Sequence, residues 1–218
     1  MGDSKSNTGR TYSKLIIAKQ VIRFMCLFAV VYVLLVSPWP GLGAAYSMFY
    51  RKGAAFLFGS FGSKGVVLFR PSGNSPYEID MYFLDRERIS ADGKVNSLLV
   101  HHTCRYAAYR HIVSVIALIL ATPIPFRRRA KALFWGLILM HCFIVLKLMV
   151  LISYTFNNEP LSLLALNPFS ERLLFVTHQL IIDSVSFNFI APVFIWILVS
   201  FRREDWAMLV SGQQQTQR

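Results

Sequence analysis

The amino-acid sequence predicts a mainly α-helical, polytopic membrane protein with about four transmembrane helices and a small antiparallel β insert on the outer side. Three observations predict this fold class. Long apolar runs divide the chain, basic clusters occupy every second junction between the runs, and a strand-like stretch separates the first run from the second. With 55% hydrophobic and 16% charged residues, the composition excludes a disordered tail protein and disfavours an ordinary soluble domain.

The apolar runs set the number of predicted membrane spans. A helix needs about 20 mostly apolar residues to cross the hydrocarbon core, and in lipid it satisfies its own backbone hydrogen bonds. Three of the runs meet that length, whereas the second reaches it only with Tyr106–Arg110 in front of it. Pro192 marks an expected kink in the last run. The runs are Leu15–Val36, His111–Phe126, Ala132–Ser153 and Leu173–Phe201.

The net charge of +12 is distributed as in a membrane protein rather than a nucleic-acid-binding protein. Lysine and arginine are enriched on the cytoplasmic flanks of membrane helices, so both termini and the second junction are predicted to share the cytoplasmic side. No soluble segment carries a basic face with interleaved aromatic residues, so no nucleic-acid partner is expected. The flanking cations are Lys5, Arg10, Lys14, Lys19 and Arg23, then Arg127, Arg128, Arg129 and Lys131, and finally Arg202 and Arg203.

These features predict a division of the chain into segments of different character. The membrane part is a first helix followed, after an outer insert, by a three-helix bundle. The predicted segments are a disordered cytoplasmic N-terminus (1–14), transmembrane helix 1 (15–38), the outer insert (41–105), the three-helix membrane bundle (106–201) and a cytoplasmic C-terminal tail (202–218).

The outer insert combines an interfacial segment with strands. Ala44–Phe61 is aromatic, cationic and interrupted by glycines, which is typical of a helix at the membrane interface. A re-entrant or a fifth spanning segment is the alternative. The following residues alternate between apolar and polar, which predicts a sheet of about three antiparallel strands. The strands and the hairpin turn are predicted at Val66–Phe69, Met81–Ile89, Val95–Val100 and Asp92-Gly93.

Polar residues inside the last two runs form a predicted intramembrane cluster. Ionisable groups are costly in lipid and mark function or helix pairing. Lys147 and Asp183 are predicted at similar depth, which favours an ion pair, with snorkelling of Lys147 to the outer surface as the alternative. The cluster is interpreted as hydrogen-bonded helix packing, and a polar pocket opening outward is the functional alternative. Its members are Lys147, Gln179, Asp183, Ser186 and Asn188.

A second candidate site is Cys104, which lies between His101-His102-Thr103 and Arg105. Nearby cations favour a nucleophilic thiolate, and His178 is a further candidate base. Adjacent histidines on a loop are more often solvated than catalytic. The alternative interpretation is therefore that Cys104 is an ordinary unpaired thiol. No spacing of cysteines and histidines indicates a zinc site, and no cofactor or metal is expected.

Several segments resemble the exosortase and archaeosortase membrane proteins. These are Ala117–Pro123 running into Phe126–Arg129, together with Leu133–Leu137. The end of the chain, Ala191–Leu198 followed by Arg202-Arg203, is similar to the small membrane proteins that accompany exosortases, such as the exosortase H-associated type.

Exosortases are regarded as cysteine transpeptidases or proteases that process a sorting signal with Cys, Arg and His. The resemblance therefore implies Cys104, Lys147 and His178 as the corresponding residues. Two departures stand out. Cys104 is followed by Arg-Tyr-Ala-Ala-Tyr rather than the small residues of the family. In addition, Lys147 occupies the arginine position, where an ammonium cannot replace a bidentate guanidinium.

On these grounds the resemblance implies a non-catalytic or diverged, multipass protein of the bacterial inner membrane. It would assist surface-protein sorting or polysaccharide export beside an exosortase or export component. Two alternatives stand beside this hypothesis. One is an active cysteine transpeptidase or protease, with Cys104 as nucleophile, His178 as base and Lys147 as oxyanion or carboxylate partner. The other is a small transporter built around Lys147 and Asp183. The oligomeric state is not predicted.

Overall fold

A computed structural model describes residues 4–37, 39, 41–73, 78–89, 95–159, 161–164 and 166–201. Within these residues the chain is mostly helical and contains one antiparallel sheet, which confirms the predicted class at that level. The helices are α1 (Ser4–Val36), α2 (Leu42–Phe58), α3 (Arg110–Ala121), α4 (Phe126–Asn157), α5 (Pro168–His178) and α6 (Val185–Ser200). The strands are β1 (Ser60–Phe61), β2 (Gly65–Pro71), β3 (Ile79–Ile89) and β4 (Val95–His102).

The chain divides into two compact units. The first unit contains Met1–Ser37, Val113–Leu137 and Val193–Arg218, and the second contains Pro38–Ile112 and Ile138–Pro192. The sheet, α2 and α5 belong to the second unit. The helix α1 begins at Ser4, upstream of the start expected at Leu15 and inside the stretch expected to be disordered. The basic residues Arg202 and Arg203 lie outside the described residues.

Among the described residues, two helices are long and apolar enough to cross a membrane. They are Ala18–Val36 within α1 and the whole of α4, Phe126–Asn157. The helices α5 and α6 add a third span if the bent pair is counted as one. The expectation of four spans is therefore not confirmed.

The second predicted run falls short because its helix is brief. A π-helical turn, Arg105–Tyr109, leads into α3, which has 12 residues and ends at Ala121. Pro123 and Pro125 follow directly, and proline cannot continue a helix because it lacks the backbone donor. A membrane span usually needs about 20 residues, and the helical stretch from Arg105 to Ala121 is shorter than that.

The last predicted run is broken rather than continuous. A π-helical turn, Gln179–Asp183, closes α5, and Ser184 then adopts an extended backbone conformation. The hydroxyl of Ser184 accepts the backbone N–H of Phe187 at 3.3 Å, so it caps the N-terminus of α6. The two helical pieces meet at a bend of 80°. The break therefore lies at Ser184, eight residues before the kink that was expected at Pro192.

The sheet confirms the predicted antiparallel pairing and adds a strand. Its order is β1-β2-β3-β4, with Val67 opposite Phe83 and Phe83 opposite Leu98. Ile79, Met81 and Phe83 are fully buried on alternate positions of β3, the period of a half-buried strand. The predicted Asp92-Gly93 turn lies outside the described residues. The extra strand, β1, has only two residues.

The segment predicted as interfacial is a helix, α2, of 17 residues. It is not among the described helices that are long and apolar enough to span a membrane. Tyr50, Ala54 and Phe58 are buried at intervals of four, and α2 packs against β2. The helix therefore buries one face within the second unit.

Arginines in the first unit bind the ends of helices. The guanidinium of Arg129 donates to the carbonyls of Thr122 and Ile124, at 3.2 and 3.3 Å. Arg128 donates to the carbonyl of Ser200, the last residue of α6, at 3.3 Å. Cations are favourable at helix C-termini because the last carbonyls are unpaired and the helix dipole is negative there. The basic junction thus has a structural use.

Replacing Gly136 with leucine is expected to destabilise the first unit by about 1–3 kcal/mol, because α3 lies close to α4 at this glycine. A Cβ at position 136 would stand 2.9 Å from Ile119 Cδ1 and 3.2 Å from Val115 Cγ1. Thermal unfolding of the purified protein in neutral detergent measures the loss. Gly43→Leu is the matched control, since a Cβ there meets nothing within 4 Å. Equal melting temperatures for the two variants would contradict the expected crowding.

Candidate functional site

The thiol of Cys104 is held in its protonated form. Its Sγ–H donates to Glu78 Oε2 at 2.7 Å, and the backbone N–H of Arg105 donates to the same oxygen at 2.9 Å. The side chain is only 1% exposed. Burial, followed by the hydrogen bond to Glu78 and its negative charge, raises the pKa of Cys104 to about 12, although a hydrogen bond with Ser47 acts in the opposite direction. Cys104 is thus a poor nucleophile in this environment, because the thiolate is the reactive form.

His102 ends β4 in contact with α2. Its Nε2 lies 3.3 Å from Tyr50 Oη, and the two rings stack with centroids 5.8 Å apart. Burial, and next the positive charge of Lys147, lowers the pKa of His102 to about 4. The imidazole is therefore neutral at pH 7.

His101, the neighbour of His102, has its partner on the adjacent strand β3. Its Nδ1 lies 2.8 Å from Asp80 Oδ1, and the two residues are register partners of β4 and β3. Hydrogen bonds from Ser72 and His101 hold the pKa of the Asp80 carboxyl below its ordinary value. The two adjacent histidines thus have different partners and different chemistry.

Lys147 contacts Asn188, not Asp183 as expected. Its Nζ donates to Asn188 Oδ1 at 2.6 Å, and His111 Nε2 lies 3.1 Å from the same oxygen. The amide orientation is fixed, since Asn188 Nδ2 donates to the carbonyl of Ser184 at 3.2 Å. Because Oδ1 only accepts, His111 carries its proton on Nε2. Asn188 is thus the shared partner of Lys147 and His111.

Asp183 pairs with His178 at the end of α5. Asp183 Oδ2 lies 3.4 Å from His178 Nδ1, and the imidazole stacks on Tyr154 with centroids 3.9 Å apart. The Asp183 side chain is 61% exposed, because the π-helical turn and the extended Ser184 displace it from the face that regular helical spacing predicts. Gln179 and Ser186 are also exposed. Of the predicted cluster, the structure therefore brings together Lys147 and Asn188 only.

A cavity of about 370 Å³ lies within the second unit. Lys147 and Asn188 line it from one side, and the end of β4 lines it from another. Its walls include the apolar side chains of Ile144, Leu148 and Leu151, which follow one face of α4. The other lining residues are Tyr50, Val100, His101, His102, Thr103, Tyr106, Ala107 and Ile182.

The three residues suggested as a catalytic set do not share this cavity. Lys147 lines it, whereas Cys104 and His178 are absent from its described lining. Cys104 is engaged by Glu78, and His178 is engaged by Asp183 and Tyr154. The transporter alternative also loses its central pair, because Lys147 and Asp183 have different partners.

Sequence reasoning missed Glu78 and Tyr50. Glu78 directly precedes β3, outside the predicted strands, and Tyr50 is one of several aromatic residues in α2. Among the described residues, no group of three or more His, Cys, Asp or Glu side chains is arranged to hold a metal ion. No protein-family model, no curated protein and no solved structure matches the chain.

Proposed function

We propose that this chain is a non-catalytic, diverged exosortase-like or exosortase-associated protein of the bacterial inner membrane. It assists surface-protein sorting or polysaccharide export through contact with an exosortase or an export component. In this proposal the chain crosses the membrane about four times, and both termini are cytoplasmic. One crossing is the helical stretch from Arg105 to Ala121, whose length is at the lower end of the range for a span.

The environment of Cys104 is the observation that carries the non-catalytic part of this proposal. A cysteine transpeptidase needs a thiolate and a base within hydrogen-bond reach. Here burial disfavours the thiolate, and so does the negative charge of Glu78, which accepts a hydrogen bond from the thiol at 2.7 Å. Lys147, at the position that the resemblance assigns to an arginine, is engaged by an amide. An accessory role requires neither an activated sulfur nor a guanidinium.

Cys104→Ser is the variant that tests the proposal, because serine keeps a donor for Glu78 but removes thiol chemistry. We expect tagged wild-type and Cys104→Ser proteins to recover the same exosortase or export component from a mild-detergent extract. We also expect surface display of a sorted protein to remain at the wild-type level. Cys142→Ser is the matched control, since Cys142 is an exposed cysteine in α4.

Two outcomes would contradict the proposal in different ways. If neither tagged protein recovers a sorting or export component, the accessory role is wrong. If Cys104→Ser stays in the membrane at the normal level but abolishes processing of the sorted protein, the chain is a cysteine-dependent enzyme.

A further inference from the structure

Lys147 is a buried cation without a carboxylate among its described contacts. It is 8% exposed and lies in α4, one of the two described helices long and apolar enough to span a membrane. Among the described residues its only hydrogen-bond acceptor is Asn188 Oδ1, which also accepts from His111. Both lone pairs of that oxygen are thus occupied, and two of the three ammonium donors remain for another acceptor.

The cavity beside Lys147 offers a place for that acceptor. Its volume of about 370 Å³ lies within the range of sites that hold small molecules. The described lining contains no aspartate or glutamate, so no carboxylate of the lining neutralises the ammonium. A cation in such surroundings is costly unless it is paired, so an anionic ligand would find a favourable site here.

The other ionisable groups near the cavity do not compete for this role. His102 is neutral at pH 7 because burial lowers its pKa to about 4. His101 is engaged with Asp80, and Glu78 accepts from Cys104 and Arg105. Lys147 is thus the one lysine or arginine in the described lining, and a single ammonium matches a ligand with one negative charge better than a doubly charged phosphate.

The walls of the cavity specify the rest of the ligand. Ile144, Leu148 and Leu151 line it next to Lys147, and Val100 and Ile182 add further apolar surface. An extended hydrocarbon chain would bury against these side chains and gain hydrophobic stabilisation. A small hydrophilic anion would leave these apolar side chains without a hydrophobic contact.

We propose that this cavity binds an amphiphile that consists of an acyl chain with a terminal carboxylate. The carboxylate accepts hydrogen bonds from the Lys147 ammonium, and the acyl chain lies along Ile144, Leu148 and Leu151. The proposal goes beyond the accessory function and does not rest on the exosortase resemblance, because only the charge and shape of the cavity carry it.

Native mass spectrometry of the full chain in neutral detergent, titrated with decanoate, tests this site. We expect saturable binding of one decanoate, at least tenfold tighter than binding of methyl decanoate or decylamine. Lys147→Met removes the charge and should weaken decanoate binding by about 10- to 100-fold, as expected for loss of a charge-assisted hydrogen bond. Lys131→Met is the matched control on the same helix and should leave binding unchanged, since Lys131 is exposed and does not line the cavity.

Asn188→Asp provides a second variant with nearly the same shape. Its carboxylate would pair with Lys147 permanently, so decanoate binding should fall as it does in Lys147→Met. Equal binding of decanoate and methyl decanoate to the wild-type protein would overturn the proposal. This comparison needs no variant, so it tests the proposal even if the substituted proteins do not fold. Unchanged decanoate affinity in folded Lys147→Met would overturn it as well.

Discussion

Replacing Phe156 with alanine is expected to destabilise the second unit by about 3–5 kcal/mol, the usual cost of deleting a buried aromatic ring. Phe156 lies at the end of α4 and is 0% exposed. Its ring stacks on Phe61 and meets Phe83 edge to face, with centroids 5.3 Å apart in both pairs. It also lies close to Gly65, where a Cβ would stand 3.0 Å from the ring. The substitution therefore removes the side chain that joins α4 to β1, β2 and β3.

Denaturant or thermal unfolding in neutral detergent measures this loss, and limited proteolysis shows whether the sheet opens first. Phe156→Leu should cost less, because leucine refills part of the space. Phe169→Ala is the matched control, since Phe169 in α5 is 76% exposed. A similar stability for Phe156→Ala and Phe169→Ala would show that the sheet does not depend on this contact.

The sequence predicts the strands of this fold better than the ends of its helices. Strand pairing is predictable because Ile79, Met81 and Phe83 alternate with polar residues, and this period requires one buried face. The end of α3 at Ala121 was harder to place. Hydropathy measures composition, and it does not distinguish a continuous helix from a short helix that follows a π-helical turn.

The sequence contains a signal for the break at Ser184, but the long apolar run around it favours a continuous helix. Serine is a preferred N-cap, and Ser184 accepts the backbone N–H three residues later. Within a long apolar run this cap is not apparent, so Gln179, Asp183 and Ser186 were expected to lie on one continuous helix and in one intramembrane cluster. The break changes that spacing, which is why Asp183 contacts His178 and Asn188 reaches Lys147.

The contacts of Cys104 were beyond sequence reasoning for a different reason. Glu78 is 26 positions away along the chain. Antiparallel pairing brings the start of β3 near the end of β4, but an irregularity between Leu84 and Ile89 shifts the register, so the spacing from the turn does not place Glu78 beside Cys104. The flanking Arg105 predicted a lowered thiol pKa, because a neighbouring cation stabilises a thiolate. Burial and Glu78 reverse that effect, and both are properties of the tertiary structure.

Asn188→Leu is expected to lower the free energy of unfolding by about 2–5 kcal/mol, because it removes the acceptor of two buried donors. The Lys147 ammonium and the His111 Nε2–H both bind Asn188 Oδ1, so leucine would leave a charge and an N–H without this partner. Asn188→Asp should retain stability, since a carboxylate still accepts from Lys147. Gln179→Leu is the matched control at an exposed amide and should change stability by less than about 0.5 kcal/mol.

A double-mutant cycle separates the contribution of Lys147 from that of His111. In the Lys147→Met background no ammonium remains to be left unpaired, so Asn188→Leu should cost less there than in the wild-type chain. Unfolding free energies in neutral detergent give the four corners of the cycle. If Asn188→Leu costs the same in both backgrounds, the 2.6 Å contact contributes nothing, and His111 alone accounts for the need for an amide at position 188. A cost that falls in Lys147→Met would identify the buried cation as the group that Asn188 stabilises.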